Sequence, residues 1–288
     1  MSTQLRNPRG FITAAGTTAL LALGLAFGMS TGADARGQAT TIGLIASMNA
    51  SSEVPAPTGA VTDARGTFTG TATKSDTGAA LDWQMTFSGL TGPATAAHIH
   101  LAARGQPGPV SVPLCGPCTS PASGTANVDA AVLTALQTGG AYVNIHTDTN
   151  RAGEVRGQVG VVAPVRVTLN ARQEVPKPKG NVNRSTGSFV ATVAKEGATG
   201  SVTWRLTFAR LTGRAVAAHI HIARRGRPGP VAVALCGPCR SGARGNATLP
   251  AAALAAIEAG RAYVNVHTAR NPGGEIRGQI RAVPLTID

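Results

Sequence analysis

Apolar and polar residues alternate one by one along several short segments of the chain. Every second residue from Leu81 to Phe87 is apolar, and the same alternation runs from Val202 to Phe208. A period of two with one apolar face is typical of a half-buried β-strand. Residues 66–73, which alternate Thr with small or aromatic residues, are predicted to form another strand.

Two segments predict short helices instead. Residues 129–137 are followed by Gly139 and Gly140, and residues 250–259 begin with Pro250 and stop at Gly260. Proline in the first turn and glycine after the last turn are typical of helix ends. The remaining pattern is strand and turn, which predicts two all-β units of seven or eight strands, each with one short helix.

These elements belong to an internal repeat. Residues 49–158 recur as residues 170–279 at one constant spacing, which pairs all six histidines, all four cysteines and both tryptophans between the copies. A repeat of this length is the size of a domain and far longer than the unit of a solenoid. We therefore expect two tandem domains, residues 41–162 and 165–284, held close together by the short segment 161–165.

The first 35 residues lie outside both repeats. Arg6 and Arg9 precede an uncharged apolar run from Phe11 to Met29, and the small residues around Ala35 offer a cleavage site. This pattern predicts a secretory signal peptide over residues 1–35, with an uncleaved membrane anchor as the alternative. We expect a mature chain without a transmembrane segment, exported to the periplasm, the cell surface or the medium.

Export determines the expected chemistry of the cysteines. Each domain has one Cys-Gly-Pro-Cys motif, and an even number of cysteines outside the cytoplasm predicts disulfides. The expected pairs are Cys115 with Cys118 and Cys236 with Cys239. Thiol redox catalysis and metal ligation are alternatives, but the redox motif opens a helix, and here loop-like sequence follows each motif.

Charge divides the chain unevenly. Residues 36–163 carry six Lys and Arg against seven Asp and Glu, whereas residues 164–288 carry 18 against five. The second domain is therefore predicted to contact an anionic surface or matrix polymer through long-range attraction, and a merely solvated basic surface is the alternative. Nucleic acid is not the expected partner, because only 3% of residues are aromatic and could stack on bases.

Three strand segments of each domain place polar side chains opposite their apolar face. The segments are residues 97–101, 142–146 and 154–158, and their counterparts in the second copy. If the three strands are neighbours, one face gathers His98, His100 and His146 with Asn144, Glu154 and Arg156, and the other domain gathers His219, His221 and His267 with Asn265, Glu275 and Arg277.

Such a face has two interpretations. Three imidazoles can bind copper or zinc, with the glutamate or asparagine in support, so the six histidines are candidate metal ligands. Alternatively, the same side chains form a hydrogen-bonded network that organises the sheet without a metal. The sequence contains no Gly-x-Ser-x-Gly motif and no phosphate-binding loop, so it nominates no catalytic residue.

The order of these motifs resembles the CHRD domain, which occurs in chordin and in many exported microbial proteins. In both copies Ala-His-Ile-His is followed by Arg-Gly-x-Pro-Gly-Pro-Val, then Tyr-Val-Asn-Ile/Val-His-Thr, then Gly-Glu-Val/Ile-Arg-Gly-Gln. The resemblance implies an immunoglobulin-like, Greek-key β-sandwich with distant similarity to copper–zinc superoxide dismutases. By that similarity His98, His100, His219 and His221 stand at the first pair of copper ligands. A bridging histidine and a zinc-binding aspartate have no counterpart here, so dismutase activity is not expected.

Two functions follow as expectations. The first, which the sequence favours, is a non-enzymatic binding or structural module outside the cytoplasm, with an unidentified protein or matrix partner. The second is a metalloprotein with one copper or zinc site per domain, open to redox chemistry.

Overall fold

The structure, a computed structural model, describes residues 40–287, so the predicted signal peptide lies outside the described residues. Sixteen strands and two short α-helices occur there, and every strand pair is antiparallel. The first half contains β1 (Thr41–Asn49), β2 (Arg65–Ser75), β3 (Gly78–Ser88), β4 (Ala94–Leu101), β5 (Val110–Cys115), β6 (Ala122–Asp129), α1 (Ala130–Thr138), β7 (Ala141–Thr147) and β8 (Val155–Gln158).

The second half repeats this order. It contains β9 (Gly160–Asn170), β10 (Thr186–Glu196), β11 (Thr199–Ala209), β12 (Ala215–Ile222), β13 (Val231–Cys236), β14 (Ala243–Leu249), α2 (Ala251–Glu258), β15 (Ala262–Thr268) and β16 (Ile276–Ile280). Short 3-10 helices, Ala50–Ser52 and Ala171–Gln173, follow β1 and β9. The all-β prediction is confirmed, with eight strands per unit. No helix between residues 40 and 287 has the length and apolar character needed to cross a membrane.

Each half is a sandwich of two sheets that are joined at one edge. In the first half the sheets have the orders β6-β3-β2-β1 and β8-β7-β4-β5, and Asn49 at the end of β1 pairs with Arg156 on β8. The chain crosses between the sheets from β3 to β4 and returns from β5 to β6, as in a Greek key. The core lies between the sheets and contains Leu44, Phe68 and Trp83.

The predicted elements form where the pattern indicates. Leu81, Trp83 and Met85 on β3 are buried and their neighbours are exposed, as the alternation predicts. The Asp129 side chain accepts a hydrogen bond from the Val132 N–H and caps α1, which ends at Gly139 in the left-handed conformation with φ 76°. Such a φ suits glycine, because other residues are strained there.

The junction between the halves is a continuous strand. The predicted connection, residues 161–165, lies inside β9, whose first residues pair with β1 and whose later residues pair with β10. An ion pair of 2.7 Å between Arg104 and Glu196 also joins the halves. The Ile287 N–H adds a hydrogen bond to Gln137 in α1. These contacts fix the two sandwiches against each other.

Candidate metal centre

Strand register brings the histidines of the first half onto one face of its second sheet. Strand β4 lies between β5 and β7, with His98 opposite Asn144 and His100 opposite Tyr142. Ala97 and Ile99, which alternate with the histidines, are fully buried in the core. The two imidazoles therefore project from the other face, next to His146 on β7. Neighbouring strands thus carry the three rings on the face that the alternation of residues predicts.

The three rings converge in each half. His98 Nδ1 lies 3.2 Å from His146 Nε2, and the equivalent distance between His219 and His267 is 3.0 Å. In both clusters one nitrogen of each imidazole lies within 4.8 Å of the corresponding nitrogens of the other two. His100 and His146 are only 6% and 8% exposed, whereas His98 is partly exposed and forms the solvent side of the cluster.

Backbone carbonyls determine which nitrogens carry protons. His100 Nδ1 lies 2.9 Å from the Gly108 carbonyl oxygen and His146 Nδ1 lies 3.0 Å from that of Arg151. A carbonyl only accepts hydrogen bonds, so both Nδ1 atoms are protonated and both Nε2 atoms present a lone pair. His98 Nδ1 then donates to His146 Nε2. Gly229 and Pro272 supply the carbonyls in the second half.

One lone pair in each cluster has no partner. Within the described residues, His100 Nε2 and His221 Nε2 are buried and accept no hydrogen bond. A buried polar atom without a partner costs about 1–3 kcal/mol, so its repetition in both halves needs an explanation.

Burial keeps the imidazoles neutral. It lowers the pKa of His98 and of His100, and it lowers the pKa of His146 to about 4 despite the Arg151 carbonyl, which acts in the opposite direction. The pKa of His267 is likewise lowered to about 4 by burial. Neutral imidazole is the form that binds metal ions, so at neutral pH no imidazolium has to lose its charge before an ion binds.

A buried polar network lies beside the histidines. The Arg156 guanidinium donates to the Ala103 carbonyl, and Gln158 donates to the carbonyls of Ala102 and Gly139. Asn144, predicted as a supporting residue, is buried and donates to the Glu53 carboxylate at 3.3 Å. Asn265 makes the equivalent bond to Glu174.

The carboxylate nearest this network was missed by sequence reasoning. Glu53 follows β1, outside the three histidine strands, and burial raises its pKa to about 7. The same holds for Glu174. The signal in the sequence was the motif Glu-Val-Pro, which both copies retain without an apolar pattern to explain it.

The glutamates predicted to support the histidines have other partners. The Glu154 carboxylate accepts hydrogen bonds from Thr91, Thr147 and Asn150. Thr147 follows His146 on β7 and so projects from the opposite face of the strand. Burial raises the pKa of Glu154, but these hydrogen bonds outweigh it and the pKa is lowered overall. Glu275 is held in the same way by Thr212, Thr268 and Asn271.

The cysteines are paired within each motif. Cys115 is bonded to Cys118 and Cys236 to Cys239. Cys115 pairs with Ala97 and Cys118 with Ala94, so the first disulfide turn lies beside the first half of β4, the strand that carries His98. Disulfide bonds are typical of an oxidising compartment, and sulfurs bonded in this way are not thiolate ligands for a metal.

A family model that describes the CHRD domain matches residues 44–159 and residues 165–280. The chain belongs to the CHRD domain family. The two matched CHRD domains contain all six histidines, both disulfides and both polar networks. Searches of curated proteins and of solved structures found no match. The likeness to copper–zinc superoxide dismutases stays a prediction.

Proposed function

We propose that the protein is an exported module of two CHRD domains, each of which binds one copper or zinc ion through three histidines. The ligands are His98 Nδ1, His100 Nε2 and His146 Nε2 in the first domain. In the second domain they are His219, His221 and His267, through the same atoms.

The unpartnered Nε2 of His100 carries the proposal. Its ring is held by the Gly108 carbonyl through Nδ1, which leaves Nε2 as the free nitrogen in a cluster whose ligand atoms lie within 4.8 Å of one another, and His221 repeats the arrangement. Hydrogen bonds from the outer nitrogen of a histidine to a carbonyl are typical of metal sites, because they fix the ring and the position of its proton. A metal ion would satisfy the lone pair that the fold leaves free.

The distance between His98 and His146 suits a shared ion. Nitrogens about 2.05 Å from a tetrahedral ion lie about 3.3 Å apart. The separation of 3.2 Å between His98 and His146 is close to this value. The ion would take the place of the proton between those two rings, and His98 would then carry its proton on Nε2. Imidazole suits both copper and zinc, and three histidines leave a fourth position open.

The role we propose is binding outside the cytoplasm, without catalysis. Arg156 and Glu53, beside the histidines, each have partners within the fold: Arg156 donates to the Ala103 carbonyl, and Glu53 accepts hydrogen bonds from Val54 and Asn144. Arg156 Nη1 and Glu53 Oε2 are buried without a partner among the described residues. Export is supported by the predicted signal peptide and by the two disulfides.

Metal content tests the proposal. The mature protein is stripped with a chelator, loaded separately with Zn²⁺ and Cu²⁺, desalted and assayed. We expect two equivalents, one equivalent in the variant His98→Ala/His100→Ala, and none when His219→Ala and His221→Ala are added. In the first variant the untouched second domain is the internal control for folding. The proposal would be overturned if the unsubstituted protein held less than one equivalent after loading with Zn²⁺ and also after loading with Cu²⁺.

A further inference from the structure

Domain 2 contains a cavity of about 680 Å³ lined by five arginines. Four of them are exposed, namely Arg166, Arg172, Arg225 and Arg281, and none of the residues that line the cavity is acidic. The equivalent cavity of domain 1 measures about 230 Å³. Domain 1 has Ile45, Ser51 and Gly160 at the positions of Arg166, Arg172 and Arg281. Its counterpart of Arg225, Arg104, is paired with Glu196.

The positive charge continues across the neighbouring sheet. Arg166 on β9 and Arg205 on β11 both pair with Val190 on β10, and Arg205 pairs with Arg244 on β14. Residues directly opposite one another project from the same face, and all three arginines are exposed. With about 4.8 Å between strands, they form a row about 14 Å long that starts at the cavity.

Domain 1 lacks this row. Its equivalent positions hold Ile45, Thr69, Gln84 and Ser123, all uncharged. The row is therefore not required by the sandwich that the two domains share.

The arginines of the row repel one another. Arg205 and Arg244 are directly opposite on adjacent strands, and like charges in such pairs are destabilising. In the described part of the chain, the ion pairs are Arg104 with Glu196, Arg151 with Asp148 and Lys195 with Glu258, and none includes an arginine of the row or the cavity. A bound anion would relieve this repulsion.

Buried Arg277 positions the loop that carries Arg225. Its guanidinium donates to the Arg227 carbonyl at 2.8 Å and to the Arg224 carbonyl at 3.2 Å. Both ends of the turn are thereby held at the cavity wall, and the side chains of Arg224, Arg225 and Arg227 extend into solvent.

We propose that domain 2 binds a linear anionic polysaccharide along the cavity and the row. The contacts are Arg172, Arg225 and Arg281 in the cavity, and then Arg166, Arg205 and Arg244 in the row. Guanidinium groups pair with carboxylate or sulfate through two parallel hydrogen bonds, so a line of arginines suits the repeating anions of a sugar polymer. The cavity has no aromatic lining on which nucleic-acid bases could stack. This site shares no residue with the proposed metal ligands.

The test uses full-length mature protein, stripped of metal, with heparin and polygalacturonate as the sulfated and carboxylated probes. The variant Arg166→Ile/Arg205→Gln/Arg244→Ser introduces the residues that domain 1 already accommodates in the same sheet. The matched control, Arg210→Gln/Arg214→Gln/Arg270→Gln, removes the same charge from exposed positions outside the cavity and the row.

We expect the row variant to bind at least one probe about tenfold more weakly and the control to lose less than about threefold. The plot of log affinity against log salt should be shallower by about two to three in slope for the row variant, since fewer counterions are released. Tighter binding of heparin would identify sulfate as the recognised group. Tighter binding of polygalacturonate would identify carboxylate. Equal losses in both variants, no binding at 50 mM salt, or tighter binding of single-stranded DNA than of both probes would each overturn the proposal.

Discussion

The guanidinium carbon of Arg156 lies 3.4 Å from the centre of the Tyr142 ring. Arg277 and Tyr263 repeat the contact at the same distance. The Tyr142 ring also stacks on His100, with centroids 4.9 Å apart and planes inclined by 14°. A buried cation and a candidate metal ligand are therefore positioned by one aromatic ring.

Two substitutions of Tyr142 separate the contribution of its hydroxyl to stability from that of its ring. Tyr142→Phe loses only the hydrogen bonds with Gly108, which should cost about 1 kcal/mol of unfolding free energy. Tyr142→Leu also loses the cation–π contact, which is worth about 2 kcal/mol when desolvated, so its cost should be about 3 kcal/mol. Urea unfolding of metal-free protein measures both. Equal costs for the two variants would show that the ring contact contributes nothing.

Metal binding should release few protons at pH 6. Three imidazoles with the ordinary pKa of about 6.5 would be mostly protonated there and would release about two protons per ion. Burial lowers the pKa of His98, His100 and His146, the last to about 4, so the folded site holds fewer protons than three ordinary imidazoles would. Calorimetric titration in buffers of different ionisation enthalpy should therefore give clearly fewer than two protons per ion. A release of two would contradict the lowered pKa values.

Glu53 should make the protein less stable as pH rises. Burial raises its pKa from 4.5 to about 7, so the folded state holds a proton that the unfolded state loses between those values. The resulting stability is present below about pH 4.5 and is lost as pH rises to 7. We compare the unfolding free energy of Glu53→Gln with that of the unsubstituted metal-free protein. The difference should shift in favour of the variant by about 2–3 kcal/mol between pH 5 and pH 8, because the amide needs no proton.

Glu154→Gln is the control, and its stability relative to the unsubstituted protein should change with pH in the opposite direction. The pKa of Glu154 is lowered, so its carboxylate stabilises the fold at neutral pH and loses that effect as pH falls. Comparing each variant with the unsubstituted protein cancels the effect of the histidines, which destabilise the fold on acidification. If both variants follow the same pH dependence, the two carboxylates do not differ as described.

Gly153 lets the backbone pass close to the side chains of Asn144 and Glu53. Its φ is +136°, and an added Cβ would lie 2.4 Å from Asn144 Nδ2 and 2.5 Å from Glu53 Oε2. Gly153→Ala should destabilise the protein by more than about 2 kcal/mol, because it combines backbone strain with overpacking. Gly92, where an added Cβ meets nothing within 4 Å, is the matched control and should change stability by less than about 0.5 kcal/mol. Similar melting temperatures for the two alanine variants would contradict this role.

Much of the fold could be read from local patterns. Alternation from Leu81 to Phe87 identifies a strand because a half-buried strand has only two faces. The ends of α1 follow from Asp129 and Gly139, because a cap and a left-handed glycine act within one turn. The same locality predicts that His98 and His100 share a face, since they lie two residues apart on one strand.

The pairing between strands could not be predicted from local sequence patterns. Alternation along residues 154–158 predicts that Glu154 shares a strand face with Arg156, beside the histidines. Its carboxylate instead accepts hydrogen bonds from Thr91 and Thr147, and Glu53 takes the place beside Asn144. Register and loop conformation determine these partners, and neither is encoded within a single strand.

The sequence by itself determined that this protein is duplicated, all-β and rich in positive charge in its second half, because composition, period and repeat are properties of the linear chain. Only the tertiary structure decided that Gly108 leaves His100 Nε2 without a partner, and that Arg166, Arg205 and Arg244 form one row. Both arrangements depend on residues far apart in the chain meeting across hydrogen-bonded strands, and that requires the register of the complete sheet.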